Sequence, residues 1–273
     1  MSNTHSPDYT ILDHPRVLVH LFHPRKDSFL GSHTNNHLLI PVADGIDIGA
    51  CVHMTEDINS PTILFFHGNG EIASDYDDLG DVYRNMGINF IVVDYRGYGN
   101  SSGNPTVFGM MHDCHVILDF VRQFLGEKGY IGSLTVMGRS LGSASALELA
   151  SSASSTGSSS SSTKPLLFDS LIIESGFAYA SPLLEVLGIS PASIGFREEQ
   201  GFSHIEKIAR WKSPTLIIHA EYDHIIPFTD GEALFNACGS EKKTLIKIPG
   251  ANHNDIFMRG MKLYMDGIKE FLQ

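Results

Sequence analysis

Cysteine is scarce in this 273-residue chain: Cys51, Cys114 and Cys238 are far apart and odd in number. That excludes a disulfide framework, and the absence of any CxxC pair argues against a zinc ribbon or a redox dithiol. Positive charge is also scarce. Nineteen Lys and Arg face 31 Asp and Glu, a formal net charge of −12, and no basic run is longer than a pair such as Lys242–Lys243. A broad nucleic-acid or anionic-membrane surface wants the opposite balance. No apolar run approaches the roughly 20 residues of a membrane span, so no integral membrane segment is expected. The first ten residues, MSNTHSPDYT, lack the basic and apolar regions of a secretory signal. The expectation is a soluble cytoplasmic protein. There is no GxxxxGK[ST] and no GxGxxG opening a βαβ unit, so no nucleotide cofactor is expected. Of the 14 histidines, His112 and His115 share a helix face with Asp113 and Cys114 between them. No second cluster with ligand spacing accompanies them, so no metal is expected.

What is present is a core and a rhythm. Hydrophobic residues make up 42% of the chain and charged residues 18%, which suits a globular fold of one large domain. Arg16–Phe22, His37–Val42 and Gly45–Met54 read as strands of an antiparallel edge. From Pro61 onward, short apolar runs alternate with helical stretches. Strands are expected at Thr62–Phe66, Ile88–Val93, Ser133–Met137, Asp169–Ile173, Pro214–His219 and Lys243–Ile248. Helices are expected from Ser74 to Met86, Val107 to Leu125, Ser140 to Ala150, Asp230 to Cys238 and Ile256 to Leu272. Continuous apolar strands between helices predict a mostly parallel α/β sheet covered on both faces. Two segments interrupt the rhythm. Residues 151–163 carry nine serines in thirteen positions and read as a flexible surface loop. Residues 177–203 are too long for a plain connection and read as a small lid, with Phe177, Leu183, Leu184 and Leu187 facing a pocket. Ser203–Glu206 has the pattern of a capping box.

The chemistry is concentrated in Gly138-Arg139-Ser140-Leu141-Gly142. It follows an expected strand and opens an expected helix, the context in which GxSxG holds a nucleophilic serine at the tip of a tight turn. A serine hydroxyl needs a base, and the base an orienting acid. Asp223 follows the strand ending at His219, and His253 follows the strand ending at Ile248. The order Ser140, Asp223, His253 and their shared place at strand C-terminal ends predict a catalytic triad. The amides of Leu141 and of Asn69, in His67-Gly68-Asn69-Gly70, are the expected oxyanion donors. Glu174 is an alternative acid of weaker context. Asp94 is expected to brace neighbouring loops. Asn254 and Asp255 are read as support for His253 or as a helix cap.

The stretches FFHGNG (65–70), DYRGYGNSSG (94–103), GRSLG (138–142), HAEYDHIIP (219–227) and GANHND (250–255) resemble the α/β-hydrolase fold family. The subgroup they are most similar to is the Bem46-like and serine-aminopeptidase-like (S33) hydrolases. The resemblance implies a single domain over residues 1–273 with an eight-stranded, mainly parallel sheet. It implies hydrolysis of esters, thioesters or occasionally amides of a small-molecule acyl substrate, with no cofactor. Peptidase and lysophospholipase activities, and a non-catalytic ligand-binding role, belong to the same fold. Some relatives carry an N-terminal membrane helix or a cysteine cluster for acylation; neither is present in this sequence. Oligomeric state is not encoded in any motif.

Overall fold

The computed structural model describes residues 9–27, 36–155 and 167–273. Eight strands form one sheet: β1 (His37–Ala43), β2 (Ile46–His53), β3 (Thr62–Phe66), β4 (Asn89–Val93), β5 (Leu134–Arg139), β6 (Ser170–Glu174), β7 (Thr215–Ala220) and β8 (Lys243–Ile248). Their spatial order is β1-β2-β4-β3-β5-β6-β7-β8. β1 and β2 pair antiparallel, as does β2 with β4, and every other pairing is parallel. The β1–β2 turn is Asp44-Gly45, with Gly45 at φ 68°, the backbone sign a two-residue hairpin needs.

The apolar runs are continuous because both faces are covered. Leu64, Phe66, Ile91, Val93, Val136, Leu171, Ile173 and Ile217 point to one side. Ile63, Phe65, Phe90, Val92, Met137, Ile172, Leu216 and Ile218 point to the other. On the first side pack α1 (Pro15–Leu21), α3 (Val107–Glu127), α4 (Ser143–Ser155), α6 (His204–Arg210) and α7 (Phe228–Ala237). On the second lie α2 (Asp77–Asn85) and α8 (Ile256–Leu272). Each fully buried aliphatic or aromatic side chain contributes roughly 1.5–3 kcal/mol. The largest are Trp211, Tyr83, Tyr98 and Tyr264.

Three expectations are corrected. Arg16–Phe22 is not a strand: Pro15–Leu21 is helix α1. His14 caps it, its Nδ1 accepting from the Arg16 amide at 3.2 Å, and Pro15 stands in the first turn, where its missing N–H costs nothing. Val17 and Leu21 are buried at helical spacing, and this pair outweighs the strand-like apolar run Val17-Leu18-Val19. The serine-rich stretch is not loop from its start: Ser151–Ser155 continue α4. Ser152 Oγ donates to the Glu148 carbonyl at 3.3 Å, which satisfies the hydroxyl within the helix. The remainder, 156–163, lies outside the described residues. Ser203 forms no capping box. It sits left-handed at φ 52° before α6 and makes no side-chain cap bond.

The segment between β6 and α6 holds α5 (Ala180–Val186) and two short 3-10 turns, Pro191–Ile194 and Glu198–Gln200. Glu198 ties it together by accepting from the amides of Ala180 and Ser181 at 2.7 and 2.8 Å.

Candidate active site

β5 runs into a reversal so tight that side chains are excluded two residues to either side of Ser140. A Cβ on Gly138 would fall on the carbonyl of Gly142, and one on Gly142 would fall on the carbonyl of Phe66 in β3. Ser140 itself is held at φ 51°, a left-handed conformation that costs a non-glycine residue about 1–3 kcal/mol. The reward is position, because Ser140 follows the C-terminal end of β5 and borders the pocket there.

Two loops from more distant strands come to it. Ser140 Oγ lies 3.0 Å from His253 Nε2. His253 Nδ1–H donates to Asp223 Oδ2 at 2.7 Å, which leaves Nε2 free to accept from the serine. The other oxygen of Asp223 accepts from the amides of Ile225 and Ile226 at 3.0 and 2.8 Å. Burial opposes the charge on Asp223, but His253 and these two amides outweigh it and hold the carboxyl below its ordinary value. His219 donates from Nε2 to the Ile226 carbonyl at 2.8 Å and so braces the turn that presents Asp223. Burial pushes its pKa down. The three sequence-predicted triad residues are therefore brought together, all buried.

Asn69 and Leu141 both border the same pocket as Ser140 and His253. The Asn69 side chain is fully engaged: Oδ1 accepts from the His23 amide and the Tyr98 hydroxyl, each at 2.8 Å, and Nδ2 donates to His23 Nδ1 at 2.9 Å. Glu174 does not reach His253's ring. It accepts from Arg139 Nε at 3.1 Å and from Tyr264 at 2.6 Å. Asp94 braces loops as expected, accepting from the Ala73 amide at 2.9 Å and lying 3.4 Å from His67 Nε2. Asp255 accepts from the Asn252 amide at 2.6 Å and precedes α8, while Asn254 borders the pocket.

The pocket holds about 270 Å³. Its apolar wall is Leu21, Phe177, Leu183, Leu187, Ile225 and Ile226. Leu184, expected there, is buried instead among the core residues. Leu21 and His23 come from the N-terminal segment, where a strand-like pattern conceals helix α1. Arg139 and Glu71 also border the pocket. Their contacts join chain segments far apart in sequence, and no local spacing signals them. Among the described residues, no group of three or more His, Cys, Asp or Glu is arranged to hold a metal, and no helix is long and apolar enough to cross a membrane. His115 lies instead 3.8 Å from Glu148.

A family model described as serine aminopeptidase, S33, matches residues 58–160. Human alpha/beta hydrolase domain-containing protein 17B is 30% identical over 216 residues, covering 77% of this chain and 66% of that protein. The zebrafish (Danio rerio) lysophosphatidylserine lipase ABHD12 is 31% identical over 202 residues, covering 67% of this chain and 48% of that protein. Among solved structures, the Pyrococcus furiosus esterase Pf2001 superposes with a TM-score of 0.68 at 16% identity, over 92% of this chain and 98% of that one. A likeness at that identity speaks to the fold alone. The family-model match and a human relative that is 30% identical along 77% of the chain, on a sheet of this strand order, converge: this protein belongs to the α/β-hydrolase family.

Proposed function

We propose that the protein is a serine hydrolase that cleaves carboxylic esters, or thioesters, of small to medium acyl substrates. The observation that carries this reading is the contact of Ser140 Oγ with His253 Nε2 at 3.0 Å, with Asp223 at 2.7 Å behind the ring. In this reading His253 takes the proton as Ser140 attacks the acyl carbonyl. The amides of Leu141 and Asn69 receive the developing oxyanion. His253 then protonates the leaving group, and water reverses the sequence on the acyl-enzyme. Asp223, ionised because its carboxyl is held low, fixes the ring tautomer and balances the imidazolium. No cofactor enters any step. Residues 1–273 act as one domain, with 177–203 as a short lid whose Phe177, Leu183 and Leu187 contact the acyl chain. The apolar wall favours an acyl group over a charged one.

The test is a panel of p-nitrophenyl esters from C2 to C16, run on the wild type and on Ser140→Ala. Activity is expected at short to medium chain length, falling roughly 10³–10⁶-fold in the variant. Equal activity in both proteins, or none in a folded wild type, overturns the ester reading. Preference for lysophospholipids or for aminoacyl amides in parallel assays would redirect it within the same triad chemistry.

A further inference from the structure

The nucleophile and its base sit on loops 113 residues apart in sequence, at the ends of strands separated by β6 and β7. Something has to hold that spacing to a fraction of an ångström. Asp223 orients the ring of His253 but does not touch the nucleophile's own loop. Arg139, the residue before Ser140, does what Asp223 cannot. Its side chain is 10% exposed. Nη2 donates to the main-chain carbonyl of His253 at 2.9 Å. Nη1 donates to Glu71 Oε1 at 2.5 Å, and Nε to Glu174 Oε1 at 3.1 Å. Glu71 in turn accepts from the Gly68 amide and the Tyr76 hydroxyl, both at 2.6 Å. Gly68 precedes the expected oxyanion donor Asn69. Glu174 accepts from Tyr264 of α8, the helix that follows the histidine loop.

We propose that Arg139 is a positioning residue that locks the nucleophile turn, the histidine loop and the oxyanion loop to one another through a single guanidinium. The inference rests on the hydrolase reading above. The planar fork suits this role, since its donors diverge toward three acceptors on three separate segments. A point charge would neutralise Glu71 and Glu174 equally well without spanning them. Burial works against the guanidinium's charge, but the carboxylates of Glu71 and Glu174 outweigh it and keep Arg139 protonated.

Arg139→Lys separates positioning from charge balance. Two readouts are taken on folded protein, with folding checked by near-ultraviolet circular dichroism. One is the rate at which a neutral fluorophosphonate labels Ser140. The other is the low-field proton resonance of His253 Nδ1–H in its bond to Asp223. Positioning predicts labelling slowed on the order of 10–100-fold, because misplacement near 1 Å costs about that much. It also predicts that the resonance shifts or broadens, while KM for a p-nitrophenyl ester moves less than about threefold. Wild-type labelling and an unchanged resonance in Arg139→Lys overturn the proposal. If the wild type neither turns over esters nor labels, the hydrolase reading fails. The resonance then still decides Arg139: a change in Arg139→Lys supports it and no change refutes it. Should Arg139→Lys not fold, Glu71→Gln serves instead, because it releases the clamp on the oxyanion loop. Slower labelling supports the proposal and an unchanged rate overturns it.

Discussion

Ser140 is legible from sequence because its strain leaves a signature. A serine at φ 51° between two positions where no Cβ fits requires glycine at 138 and 142, and the motif records that need. Asp223 and His253 are legible from chain order and from their place after apolar runs. Arg139 is not, because in GxSxG the position before serine is unconstrained by the turn itself. Its role exists only across the sheet. Asn69 is a mixed case. The loop stands out in the sequence, but its anchor, His23, is 46 residues upstream. That anchor makes a prediction. Asn69→Ala keeps the main-chain N–H and removes the side-chain bonds to His23 and Tyr98 that orient it. The kcat for a p-nitrophenyl ester should fall about tenfold with KM nearly unchanged, since in the proposed reaction the loss is felt where the oxyanion forms. An unchanged kcat would show that the loop holds its amide without His23 and Tyr98.

At the scale of elements, strands are the easiest to read. The covered parallel sheet demands unbroken apolar runs, and TILFF and NFIVV supply them, buried at every position. Helix ends are harder. Pro15–Leu21 mimics a strand because Val17, Leu18 and Val19 make a short, β-branched apolar run, and only the cap at His14 and burial of Val17 with Leu21 reveal the helix. The serines after Ala150 have the composition of a loop. An existing helix extends into them because each added residue needs no new nucleus. The Gly138–Gly142 turn is a junction where element packing leaves no room for a side chain at either glycine. Gly142→Ala would push a methyl onto the carbonyl of Phe66, in the middle of the sheet. Backbone cannot rotate away as a side chain does, so β3 or α4 has to shift. A loss of about 3 kcal/mol or more is expected, with fluorophosphonate labelling abolished as the turn opens. Urea denaturation followed by circular dichroism measures the first effect. A stability loss under about 1 kcal/mol would mean the turn relaxes without disturbing β3.

For the molecule as a whole, titration adds a constraint that no single element shows. His53, His204 and His219 are buried, and burial pushes each pKa below its ordinary value. His204 is the clearest, lowered to about 3. Desolvation is the main cause and Lys207 adds to it, while the Phe177 carbonyl, bonded to Nδ1 at 2.7 Å, and Glu148 oppose it. The unfolded chain binds a proton at this residue from about pH 6.5 downward, whereas the folded protein does so only near pH 3. Between those limits the unfolded state holds more protons, so stability rises with pH and is lost as pH falls. Glu148 adds to the loss lower down, its carboxyl held to about 2: burial opposes this, and His115, Lys207 and Tyr9 outweigh it. Glu174 and Asp230, raised chiefly by burial, act in the other direction, so the total slope mixes signs. A difference measurement removes the mixture. His204→Asn can still donate to the Phe177 carbonyl but cannot be protonated. It should cost stability at pH 7 through lost packing against Phe177 and Phe202, whose ring centroids lie 4.4 and 5.3 Å away. On lowering the pH from 7 to 5, the gap between variant and wild type should shrink by about 2 kcal/mol, because only the wild type bears the cost of keeping this imidazole neutral. Urea titrations at both pH values decide the matter. A gap that stays constant would show that His204 already takes up its proton in the folded state.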